Sequence, residues 1–282
     1  MHDYLVYDVF TDTAFGGNQL AVFPDARDIP EHLLQSITQE FNFSEVTFVY
    51  PPKDPNHTAR VRIFTPTMEV DFAGHPTIGT IIALADLSYS SPMTLELGIG
   101  PLPCTVDGGR ASFTVSNPLQ TISEPDIALV AGALSLSENQ VATTTHVPVQ
   151  ASLGLPFILA ELTNAAALSA CQPNLEVIRR GAKLYPSGLD FALFAYVRDG
   201  GEIHSRMFAP LVNVYEDPAT GSASSTLAVL LTERLGAPQN LTFTQGVKMG
   251  RPSTLYATTT LDPISVTMTG QAVKTMAGTF II

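Results

Sequence analysis

Two helix-length stretches, Pro76–Leu87 and Ser222–Leu235, carry almost no charge in a chain otherwise made of short strand-like runs. A helix without a polar face must be covered on every side. Each therefore calls for a sheet curved around it rather than laid along one stripe. Runs of β-branched and aromatic residues bounded by Gly, Pro and Asp predict strands over 3–10, 19–23, 46–50, 59–65, 93–97, 102–106 and 111–115. A second series covers 144–149, 156–161, 190–197, 203–208, 241–245, 254–259, 264–269 and 278–282. Further helical periods lie over 29–41, 125–134 and 174–180.

The surroundings of the two uncharged helices repeat. Arg62-Ile-Phe-Thr-Pro66 is echoed by Arg206-Met-Phe-Ala-Pro210. Each is followed by an acidic residue (Glu69; Glu216 and Asp217), then by a Gly-polar pair, Gly74-His75 or Gly221-Ser222, and then by the uncharged helix. This is the signature of an internal duplication. The fold class that follows is α+β, in two pseudo-symmetric halves, each a mostly antiparallel curved sheet around a central buried helix. The halves are expected over 1–117 and 118–282, with the last strand able to cross back to the first.

Composition narrows the function. The 282 residues carry a net charge of −12 with no basic run, which argues against a nucleic-acid partner, because phosphate binding needs clustered Lys and Arg. No stretch of 18 apolar residues is present to span a bilayer, and the N-terminus begins at once with a strand pattern, so no membrane is expected and a soluble, cytoplasmic protein is. Cys104 and Cys171 stand far apart without metal-ligand spacing, and none of the six histidines adds one, so no metal is expected. Nucleophile-elbow, phosphate-loop and zinc-protease motifs are absent.

What remains is acid–base chemistry in a cleft between the halves. Helix starts at Gly74 and at Gly221-Ser222 present N–H groups and a positive dipole end suited to a carboxylate, each contributing about 0.3–1 kcal/mol at an exposed site. Ser222 is equally readable as a plain helix cap. Glu45, at a helix–strand junction among Phe43, Val46 and Phe48, is the candidate proton carrier, since burial there raises a carboxyl pKa toward neutrality. His75 is a second acid–base group or a neutral donor held by the helix end. Asp217, ahead of Pro218, is either an acceptor for a substrate amine or hydroxyl or an ordinary turn initiator.

These motifs occur together in one known family. Gly17-Asn18-Gln-Leu-Ala-Val-Phe23, Phe43-Ser-Glu-Val-Thr-Phe48, Arg62-Ile-Phe-Thr-Pro66, Phe72-Ala-Gly-His-Pro76, Arg206-Met-Phe-Ala-Pro210, Glu216-Asp-Pro-Ala-Thr-Gly-Ser222 and Gln245-Gly-Val-Lys-Met-Gly-Arg-Pro-Ser253 appear in order over nearly the whole chain. The chain resembles the PhzF-like phenazine-biosynthesis family, built on the diaminopimelate epimerase fold. The resemblance implies an isomerase that moves a proton within a small carboxylate-bearing substrate, without metal or cofactor, and usually as a homodimer. It implies catalytic Glu45 and His75 with Asp217, and a substrate site lined by Gly74, Gly221 and Ser222. Racemases of the same fold use a cysteine from each half; here those positions are Gly74-His75 and Thr220-Gly221-Ser222, so a two-thiol mechanism is not expected. Gln19 and Asn213 depart from the family's commoner proline and glycine. The competing expectation is a catalytically inactive binding or interaction protein on the same fold.

Overall fold

A computed structural model describes all of residues 1–282. The chain divides into two compact units: Met1–Val115 with Thr267–Ile282, and Ser116–Val266. The first boundary lies two residues before the expected 117. The second is not the chain end, because residues 267–282 join the first unit rather than completing the second.

The N-terminal unit contains β1 (His2–Val9), β2 (Asn18–Phe23), α1 (Leu34–Phe41), β3 (Glu45–Tyr50), β4 (Ala59–Phe64), β5 (Glu69–Val70), α2 (Gly74–Asp86), β6 (Met93–Leu97), β7 (Gly100–Asp107) and β8 (Arg110–Val115). The C-terminal unit contains β9 (Gln120–Ser123), α3 (Ile127–Ala133), β10 (Val149–Ser152), β11 (Pro156–Glu161), α4 (Ala165–Ala170), α5 (Leu175–Leu184), β12 (Leu193–Asp199), β13 (Glu202–Ala209), β14 (Val214–Asp217), α6 (Gly221–Leu235), β15 (Asn240–Gln245) and β16 (Ser253–Leu261). The unit boundary falls inside β17 (Ile264–Gly270), and β18 (Ala272–Phe280) pairs along its length with β1.

The two units repeat one strand plan. In the first, β2 and β3 are parallel, β3 and β4 antiparallel, β4 and β6 parallel, β6 and β7 antiparallel. In the second, β11 and β12 are parallel, β12 and β13 antiparallel, β13 and β15 parallel, β15 and β16 antiparallel. The sheets are thus antiparallel in most pairings but mixed, because the crossover from β4 to β6 passes through α2 and that from β13 to β15 through α6. A parallel pair requires such a crossover.

Both central helices are covered all round, as their lack of charge demands. Gly74–Leu84 of α2 are buried without a break, and α2 packs on β1, β2, β3, β7, β8 and β18. From Ala223 to Thr232 every residue of α6 is buried, and it packs on β10, β11 and β16. Beside α1 the N-terminal unit builds an apolar layer from Phe23, Leu34, Ile37, Val46, Phe48 and Phe64. Each fully buried side chain of this kind contributes roughly 1.5–3 kcal/mol relative to exposure. The C-terminal unit packs α3 and α5 over a separate core that includes Ile158, Ile178, Phe191 and Phe208.

The strand expected at 144–149 starts only at Val149, and β5, β14 and β9 are added. The final strand is longer than the expected 278–282 and begins at Ala272. No helix is long and apolar enough to cross a membrane.

Candidate active site

Glu45 owes its position to the way α1 ends. Leu34 and Ile37 bury one face of that helix, and Asn42 closes it in the left-handed conformation (φ 52°), its N–H bonded to Thr38 C=O at 3.1 Å. Phe43 then packs against Phe41, with ring centroids 5.6 Å apart, and the chain enters β3 at Glu45. The parallel pairing Leu20↔Glu45 fixes the residue on β2. Its side chain is 16% exposed, withdrawn from bulk water but not sealed.

His75 meets it from the start of α2. The imidazole is 4% exposed, and its Nδ1 lies 3.2 Å from Glu45 Oε2 and 3.5 Å from Asn18 Nδ2. Ser44 Oγ donates to Asn18 Oδ1 at 3.5 Å, so Glu45, His75, Asn18 and Ser44 form one polar group. Burial pushes the His75 pKa down to about 3, a shift only partly opposed by the Gln19 backbone. The ring is therefore neutral at physiological pH, and the contact with Glu45 is that of an imidazole beside a carboxyl group rather than an ion pair. His75 Nε2 is buried and makes no well-formed hydrogen bond. Ala73, the residue before α2, supplies no side-chain cap, so the helix start is built from backbone alone.

The C-terminal unit holds the second set. Asp217 is 5% exposed at the end of β14 and accepts from Thr220 Oγ1 at 2.5 Å. Gly221 begins α6, and Ser222 follows it. Thr220, not Ser222, is the residue before the helix, and its side chain makes no cap bond, because the hydroxyl turns to Asp217 instead. Ser222 is thus not the plain cap that the sequence equally allowed.

Each unit also carries an arginine fork behind its helix start. Arg62 binds Glu69 through Nε and Nη2, both at 2.7 Å; Arg206 binds Glu216 through the same two atoms, both at 2.8 Å. The Arg–acid echo in the sequence is a repeated bidentate ion pair that ties β4 to the stretch before α2 and β13 to the stretch before α6.

Both cysteines are free and buried. Burial raises the Cys104 thiol to about 12 and that of Cys171 to about 11, so neither is a thiolate at neutral pH. Sequence reasoning missed Asn18, Ser44, Thr220 and Gln245. All four lie in the quoted motifs, but nothing in local pattern marks Asn18 or Gln245, whose partners are distant in sequence, or tells which of many hydroxyls, such as Ser44 and Thr220, those amides meet.

The model of the phenazine biosynthesis-like protein family, PhzC–PhzF, matches residues 7–278. The chain belongs to the PhzF-like family. It is 36% identical to the trans-2,3-dihydro-3-hydroxyanthranilate isomerase of Pseudomonas aeruginosa, over 91% of this chain and 90% of that protein. An uncharacterized isomerase of Mesorhizobium japonicum is 35% identical over 99% of both chains. The crystal structure of a Bacillus anthracis PhzF-family protein superposes with a TM-score of 0.86 over 100% of this chain and 99% of that one, at 23% identity, and shares the fold. The protein is a PhzF-like isomerase with an epimerase-like α+β architecture.

Proposed function

We propose that the protein isomerises a small cyclic acid bearing an amine or hydroxyl group by moving one proton between two of its carbons, with Glu45 as the proton carrier. The observation that carries this reading is the close pairing of the Glu45 carboxyl with a neutral, buried imidazole. As a carboxylate, Glu45 takes a proton from a ring carbon, and the electron pair left behind spreads into the adjoining double bonds. The carboxyl group, 16% exposed and able to exchange its proton with solvent, then gives a proton to a second carbon, so the net change is a shift of double bonds and no group is gained or lost. A neutral imidazole beside Glu45 adds no fixed charge to the site, and its Nδ1 meets the carboxyl group as donor or as acceptor according to the tautomer present. General acid–base catalysis of this kind supplies on the order of 10²–10⁴ in rate.

The start of α2 at Gly74 and that of α6 at Gly221-Ser222 suit the substrate carboxylate, and Asp217 suits an amine or hydroxyl. The relatives named for trans-2,3-dihydro-3-hydroxyanthranilate make that acid the first substrate to try. The test is conversion in deuterium oxide followed by NMR. One deuterium is expected on a ring carbon of the product; recovery of unchanged, unlabelled acid rejects the reading.

A further inference from the structure

The turn that leads Asp217 into α6 is stitched to a single side chain, Gln245, the last residue of β15 and 1% exposed. Gln245 Nε2 donates to the Asp217 carbonyl at 2.8 Å and to Thr220 Oγ1 at 2.9 Å. Its Oε1 accepts from the Thr220 N–H at 3.3 Å and from the Ser205 hydroxyl at 3.4 Å. All four hydrogen-bonding capacities of the amide are used. Its orientation is fixed, because a backbone carbonyl only accepts and a backbone N–H only donates. With Gln245 donating into Thr220 Oγ1, the Thr220 proton must point at Asp217 Oδ2, where the 2.5 Å contact lies. The chain of donors runs one way: Gln245 to Thr220 to Asp217.

The duplicated unit supplies the control. Ile63↔Val70 on β4 and β5 matches Met207↔Asp217 on β13 and β14. Ala59↔Leu95 on β4 and β6 matches Ile203↔Phe243 on β13 and β15. In that register Val70, Ala73 and Leu97 occupy the positions of Asp217, Thr220 and Gln245. The next residue is glycine in both units, and both press against the turn. A Cβ on Gly98 would lie 2.6 Å from Asp71 Cα, and one on Gly246 would lie 2.6 Å from Pro218 O. The same close-packed turn is therefore built once with three apolar residues and once with a polar chain. A network demanded by the fold would appear in both.

We propose that Gln245, acting through Thr220, is a positioning residue that holds the Asp217 carboxylate as a hydrogen-bond acceptor for the amine or hydroxyl of the substrate, and so sets the preference for acids carrying such a group. This rests on the reading of Asp217 given above. The substrate-facing job falls to Asp217; Gln245 and Thr220 fix which way its carboxylate faces.

The test is calorimetric titration with 3-hydroxyanthranilate, a stable acid carrying both an amine and a hydroxyl, alongside melting curves. Thr220→Val and Gln245→Leu are each expected to weaken binding by roughly 10–100-fold, the range for losing a hydrogen bond to a charged group. Thr220→Ser, which keeps the hydroxyl, is expected to bind within about twofold of the parent, and the Thr220→Val/Gln245→Leu double variant no more weakly than the poorer single one, as for members of one chain. If Gln245→Leu fails to fold, the near-isosteric Thr220→Val set against Thr220→Ser decides the matter. Parent-like binding by folded Thr220→Val, with Asp217→Asn impaired, overturns the inference and leaves the reading of Asp217 standing. Parent-like binding by Asp217→Asn, or none by the parent protein, overturns that reading and the inference with it.

Discussion

His75 Nδ1 and Glu45 Oε2 face each other at 3.2 Å, and burial keeps the imidazole neutral. The pair joins the start of α2 to the start of β3, two places that lie far apart in the sequence. A neutral ring buried at a helix start also has a consequence for stability. Desolvation and the positive helix end both oppose its protonation.

Because the folded-state pKa of His75 is depressed to about 3 from an ordinary 6.5, the unfolded chain takes up this proton first as pH falls. Stability is expected to be complete above about pH 6.5 and to fall toward pH 3 by roughly 1.4 kcal/mol per pH unit for this group. Burial lowers His146 in the same direction, as its Nε2 meets the Tyr196 hydroxyl at 2.7 Å. Urea unfolding at pH 7.5, 6 and 5 measures the slope, and His75→Asn is expected to make it shallower. An unchanged slope in that variant would contradict the assignment of a buried neutral ring.

Gly17 sets the loop that delivers Asn18 to His75. Its φ is +61°, and a Cβ there would collide with the Val9 carbonyl oxygen. Gly17→Ala is expected to destabilise the protein by about 1–3 kcal/mol, the range for a forced left-handed conformation with a clash. Activity should fall further than stability explains, because Asn18 shifts with the loop. Thermal melting and turnover on the same sample separate the two effects.

The repeated arginine forks are not equal. Arg206 and Glu216 have side chains 11% and 10% exposed, and Arg206 Nη1 also donates to the Leu168 and Cys171 carbonyls at 3.2 and 2.9 Å. Arg62 grips the more exposed Glu69 and Glu31. Lysine cannot reproduce a planar fork. Arg206→Lys is expected to cost about 2–4 kcal/mol, and Arg62→Lys about 1 kcal/mol or less. Equal losses in denaturant titrations would contradict this ranking.

Much of this architecture could be read from residues alone, and particular ones show why. The absence of charge in α2 and α6 declared them buried, since no sheet on one side satisfies a helix with no polar face. The Arg62/Arg206 echo declared the duplication even though the bidentate partner follows seven residues later in one unit and ten in the other, because the strand motif around each arginine is kept. Glu45 stood out as a carboxyl among aromatic residues. β18 was largely hidden: Ala272–Gly278 alternates weakly, and its pairing with β1 joins the two ends of the chain, which no local window reports. β5 and β14 escaped notice because strands of two and four residues carry no measurable period. Gln245 escaped for a different reason. An amide at a strand end looks like solvent-facing polarity until a partner such as Thr220, on another element, is known.

The measurement that bears most directly on the role of Glu45 is the rate at which deuterium from solvent enters the substrate carbon, compared between the parent protein and Glu45→Gln. The replacement keeps shape and a hydrogen-bonding oxygen but abolishes the proton carrier. Exchange is expected to drop by about 10²–10⁴-fold while binding of 3-hydroxyanthranilate stays within a few-fold of the parent. Exchange at the parent rate in a folded Glu45→Gln protein would contradict the account.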